Sequence, residues 1–163
     1  MTSGLVLLAA VAGAALALIS FVITQSILKF FIEPVQEQRK LIGEVADALE
    51  VYANVYEDVS PKEFLEKGSE AKREKIAETY KTLRGFSGKL RSTLWSIPLY
   101  GLFSRVGLVT KATDVMEASD EFIGWSNGLV GTEASDRVAR RRANIAKKLG
   151  IEKKYRKLRA KSE

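Results

Sequence analysis

Glu70, Glu74 and Glu78 recur at intervals of four, and Asp114, Glu117 and Glu121 at intervals of three and four. Each set therefore shares one face of a helix. Glu44 and Asp47 form a further pair. Carboxylates stacked in this way could hold Mg²⁺ through oxygen ligands. The chain contains no His and no Cys, which removes the commonest general base, thiolate metal sites and disulfides. A di-iron helical bundle would need Glu-x-x-His pairs. Ser and Thr are present, but there is no Gly-x-Ser-x-Gly element, and no Lys sits in an apolar setting. Glu70, Glu74 and Glu78 are interleaved with Lys72, Arg73, Lys75 and Lys81, the pattern of a solvated helix with ion pairs. The reading is a protein that is not an enzyme and has neither cofactor nor metal; a carboxylate-dependent Mg²⁺ enzyme is an alternative.

The second chemically capable stretch is cationic. Residues 137–163 carry 12 basic and 2 acidic side chains, net +10, whereas residues 29–136 carry 14 and 18, net −4. Arg140, Arg141 and Arg142 are contiguous, and Lys147, Lys148, Lys153, Lys154, Arg156 and Lys157 follow. Beside a membrane, such a segment would be drawn to anionic lipid headgroups, by about 1 kcal/mol per basic residue close to the surface. Nucleic acid is the competing polyanion. Only Tyr155 could stack on a base, so this partner is less favoured. A solvated tail is the third reading.

What must position these groups is an N-terminal anchor. All charged side chains lie after residue 28, and Leu5 to Leu28 is apolar apart from a few small or polar residues. As a helix these residues would span about 36 Å, enough to cross a hydrocarbon core of about 30 Å. A cleaved signal peptide is the competing reading, with small-residue sites at Ala12-Gly13-Ala14 and Ala15-Leu16-Ala17. It would want a basic n-region and a shorter apolar core, and residues 1–4 hold no Lys or Arg. Lys29, Arg39 and Lys40 follow the apolar run and none precedes it, which predicts an outside N-terminus and a cytoplasmic remainder. Ala9, Gly13 and Ala17 form a small-xxx-small stripe suited to self-association or to docking on another membrane protein.

The remaining chain reads as all-α, with an anchor and interface at 1–33, a helical domain at 34–136 and a basic helical or disordered tail at 137–163. Pro34 suits either the first turn of a new helix or a kink in a continuous one. Val35 to Tyr56 is amphipathic. Ser60-Pro61-Lys62-Glu63 predicts a helix start running to about Arg84, loosened at Gly85 and Gly88 and ended by Pro98. Ser92 to Ser104 is uncharged and contains Trp95, Tyr100 and Phe103. The favoured reading puts Trp95 and Phe103 in the core; the other lays this stretch on the membrane interface. A helix from Lys111 to Trp125, with Val115, Met116, Phe122, Ile123 and Trp125 partly inside, is expected to stop at Asn127-Gly128. A last helix begins at Thr132 or Ser135 and ends at Gly150.

Glu33-Pro34 with Arg39, Leu49-x-x-Tyr52-Ala53-Asn54-Val55-Tyr56, Ile97-Pro98-x-Tyr100 and Ile123-Gly124-Trp125-Ser126-Asn127 together resemble single-pass bacterial membrane proteins to which no activity is assigned. The resemblance covers much of residues 19–128 and implies a bacterial membrane origin; the expected location is the cytoplasmic (inner) membrane. The expected function is binding, as a membrane-anchored adaptor or accessory protein. An oligomerising effector that perturbs the bilayer is the alternative from another class.

Overall fold

The computed structural model describes residues 2–52, 70–130 and 135–152. Their regular structure is all helical, without strands among the described residues. In chain order they are α1 (Thr2–Ile27), a π-helical turn (Leu28–Ile32), α2 (Glu33–Val51), α3 (Glu70–Ser96), α4 (Tyr100–Arg105), α5 (Ala112–Val130) and α6 (Ser135–Lys148). The Ser60–Glu63 start, Thr132 and Tyr56 lie outside the described residues.

From α1 to α2 the helix is continuous. Pro34 has no N–H, and its ring crowds the carbonyl four residues back. The π turn ends just before it, with the Glu33 N–H bonded five residues back to the Leu28 carbonyl. This widened register absorbs the proline without breaking the rod. α1 is one helix long and apolar enough to cross a membrane, and nothing in the structure buries its side chains.

The other long helices form a bundle. α5 packs on both α3 and α6, and α2 lies against α3 and α6. The core combines Leu41, Val45, Ala48 and Leu49 of α2 with Ile76, Leu83, Phe86 and Leu90 of α3. It continues through Val115, Ala118, Phe122, Trp125 and Leu129 of α5 and Val138 and Ile145 of α6. Phe122 stands at the centre, 5.7 Å from the Phe86 ring and 6.0 Å from Trp125. At about 1.5–3 kcal/mol for each large apolar side chain removed from water, this core drives the fold.

Three local expectations are corrected. Gly85 and Gly88 do not loosen α3, which runs unbroken from Glu70 to Ser96. Buried Ile76, Leu83, Phe86 and Leu90 keep one helical stripe through that region, and packing outweighs the modest glycine penalty. Asn127-Gly128 does not end α5; the Asn127 side-chain carbonyl accepts from Arg84 at 2.9 Å, and Gly128 is buried within the helix. Met116, expected partly inside, is exposed. The break at Gly150 agrees with its positive φ of 70°.

The 136/137 boundary between domain and tail does not coincide with a break in packing. α6 begins at Ser135, and Val138, Ile145 and Leu149 are buried in the main core. The first half of the basic segment is therefore a wall of the bundle.

Candidate functional site at the rod–bundle junction

Where the exposed rod becomes a buried one, a polar ring joins it to the bundle. Gln38 is only 1% exposed. Its Nε2 donates to Thr93 Oγ1 at 3.0 Å and to the Tyr100 hydroxyl at 2.8 Å. Tyr100 in turn donates to the Thr110 carbonyl at 2.7 Å, and the Thr110 N–H donates to Gln38 Oε1 at 3.4 Å. One amide thus ties α2 to the end of α3, to α4 and to the segment leading into α5. Both Gln38 N–H groups and its carbonyl are used, which is the condition for burying them at low cost.

Around this ring lies a second, smaller core of Val35, Ile97 and Val109, with Tyr100 and Phe103 packed against it. Phe31 meets Phe103 edge-on at 6.1 Å. Arg39 donates to the Leu108 carbonyl at 3.1 Å. Sequence reading missed Gln38. The available signal was a lone polar residue in register with Val35, Leu41 and Val45 on the buried stripe.

Burial pushes the Tyr100 phenol above its ordinary value of 10.0, partly opposed by the hydrogen bond from Gln38. The folded state therefore holds this proton more tightly than the unfolded chain. The resulting stability is fully present below pH 10 and is lost as pH rises through the raised folded value. A phenolate also cannot donate to Thr110. Unfolding midpoints followed from pH 8 to pH 12 should fall above about pH 10, and Tyr100→Phe should make that fall shallower.

The outer surface of the same region is apolar. Trp95 is 90% exposed and Leu99 63%, while Leu102, Val106 and Leu108 are also exposed. The expectation of Trp95 in the core is overturned: Thr93 and Ile97 face inward, and the helical rotation from either turns Trp95 outward. Phe103 is half-buried. Leu99 has φ 54° and ψ 34°, a left-handed conformation that costs an ordinary side chain about 1–2 kcal/mol and glycine almost nothing.

The two sets of charged candidates meet each other. Lys148 bridges Asp114 at 3.5 Å and Glu117 at 2.5 Å. The Glu117 hydrogen bond is the main cause of its raised pKa. Arg141 Nη1 pairs with Glu121 Oε2 at 2.9 Å, and Asn144 donates to the other oxygen at 2.9 Å. Arg142 donates to the Leu49 carbonyl at 2.8 Å and lies over the Trp125 ring. The acidic face of α5 is thus the docking face for the basic residues of α6. Arg140 and Lys147 are exposed, and Lys153, Lys154, Arg156 and Lys157 lie outside the described residues. Glu70, Glu74 and Glu78 are exposed on α3, and Glu44 reaches Lys89 at 3.9 Å.

Ala9, Gly13 and Ala17 are exposed on α1, and a Cβ on Gly13 would meet nothing within 4 Å. A shallow groove of about 390 Å³ between α2 and α6 is lined by Ala46, Leu49, Arg142, Ala143, Ala146 and Ile151, among others. Comparison with protein-family models, curated proteins and solved structures finds no match for this chain.

Proposed function

We propose that the chain is a membrane-anchored binding protein of the bacterial inner membrane, an adaptor or accessory subunit. α1 crosses the bilayer with its N-terminus outside, and the bundle is held in the cytoplasm. The observation that carries this reading is the wholly exposed apolar surface of α1, set beside a bundle whose own core is complete. A soluble monomer rarely leaves so large an apolar surface in water. A helix satisfies its backbone internally, as the hydrocarbon requires. Continuity of α1 with buried α2 favours a permanent anchor over a cleaved leader. Lys29, Arg39 and Lys40 give the orientation.

Distance argues for a structural role of Arg142 and Arg141. Taking Lys29, Phe30 and Phe31 as the cytoplasmic interface, Leu49, which Arg142 contacts, lies 19 residues beyond Phe30 on the same continuous helix. At 1.5 Å per residue that is roughly 28 Å, reduced little by a typical tilt of about 20°. Headgroup attraction falls off over about 8 Å at physiological ionic strength. Arg142, and the adjacent Arg141 with it, therefore acts as a strut of the bundle in this reading, with a protein as the partner the bundle meets.

The test is a pair of reporters fused after Glu163. One that works only in the cytoplasm should be active, and one that works only outside should be silent. The opposite pattern refutes the orientation, and release of the chain by alkaline carbonate refutes the span.

A further inference from the structure

We infer that Trp95, Leu99, Leu102, Val106 and Leu108 form a second lipid contact, an apolar foot resting in the headgroup layer of the membrane that α1 crosses. This rests on the reading of α1 as a span. The foot stands beside the point where the rod leaves the exposed region: Phe103 touches Phe31, Arg39 holds the Leu108 carbonyl, and Ile97 packs with Val35. The rod residues that this segment touches run from Phe31 to Arg39, about 2 to 14 Å beyond Phe30 at 1.5 Å per residue, with Val35 midway at about 8 Å. The headgroup region on each side of the hydrocarbon is of similar depth, about 5–8 Å. The foot therefore lies at the depth where an interfacial helix settles and where Trp and Tyr are favoured.

Composition and backbone agree with this position. No charged residue occurs from Ser92 to Ser104, and Arg105 and Lys111 flank the apolar surface. Leu99 is held left-handed with its side chain outward, where glycine would fit without strain. A strained conformation spent on presenting a large apolar group to the outside points to something that covers that group. Lipid is the occupant, because Phe103 of the same segment meets Phe31 at the end of the apolar rod, where Phe30 and Ile32 are also exposed. A span alone leaves the bundle free to rotate and tilt. A foot clamped to the rod through Gln38 fixes which face of the bundle looks away from the bilayer.

The chain has two tryptophans, and Trp125 is fully buried, so Trp95 serves as a native probe. The full chain is reconstituted into vesicles of anionic and zwitterionic lipid carrying brominated acyl chains. Expected are quenching of tryptophan emission by the brominated lipid, weak quenching by aqueous acrylamide, and loss of the lipid quenching in Trp95→Phe. Strong acrylamide quenching with no lipid quenching, in vesicles that retain the chain after carbonate, overturns the foot and leaves the span standing. Emission shielded from both quenchers means that protein covers Trp95, another copy or a partner, and also overturns it. Failure of carbonate to leave the chain in the vesicles removes the span and the foot together.

Discussion

Gln38→Ala is expected to destabilise the bundle by about 2–4 kcal/mol, far more than an exposed polar substitution. The side chain fills space between α2, α3 and α4 and carries three hydrogen bonds. Its removal leaves a cavity and takes the side-chain acceptor from the Thr110 N–H. Tyr100 can still donate to the Thr110 carbonyl, and Thr93 to the Leu90 carbonyl, so part of the ring survives. Urea unfolding of the full chain in mild detergent should show a lower midpoint with an unchanged slope. The loss should be smaller when Gln38→Ala is made in a Tyr100→Phe background, because one of the bonds is already gone. A cost below about 1 kcal/mol would mean that the small Val35–Ile97–Val109 core holds this junction without the ring.

The consequence reaches beyond stability. Gln38 joins the rod to the segment that presents Trp95, Leu99 and Leu102. With the ring opened, that segment should exchange its amide hydrogens faster around Val109 and Thr110, while Phe122 and Trp125 in the main core stay protected. Uniform acceleration throughout the bundle would show that the junction and the main core unfold as one unit.

Helix positions were legible in the sequence because apolar spacing reports which side of a helix is buried. Within the amphipathic stretch from Val35, the buried Val45 and Leu49 follow this periodicity. Local stop signals were less informative: Gly85, Gly88 and Asn127-Gly128 each lie inside a helix because flanking residues pack on both sides of them. Trp95 was misplaced by its type, since a large aromatic is usually buried, although its register with Thr93 and Ile97 pointed outward. The charged candidates illustrate a different limit. A face of carboxylates and a run of arginines each looks like a binding site in one dimension. Only the antiparallel packing of α5 and α6 shows that Glu121, Glu117 and Asp114 receive Arg141 and Lys148.

That packing depends on Gly124. A Cβ at this position would run into the Arg141 guanidinium, with Nε at 3.0 Å and the terminal atoms closer. Arg141 crosses α5 over the glycine to reach Glu121, and both partners of the pair are mostly buried. Gly124→Ala should push the guanidinium off this path. Losing a partly buried charged hydrogen bond costs about 1.5–3 kcal/mol, whereas replacing glycine by alanine within a helix returns about 0.8–1.0 kcal/mol. The expected net loss is therefore about 0.5–2 kcal/mol. In an Arg141→Met background the obstacle is absent, and Asn144 still donates to Glu121. There Gly124→Ala should become stabilising, by about 0.5–1 kcal/mol. The change of sign between the two backgrounds, read from urea midpoints in a double-mutant cycle, is the measurement. An equal loss in both would show that alanine is excluded by the helix backbone or by another neighbour, and Arg141 would lose its place as the reason α5 carries a glycine there.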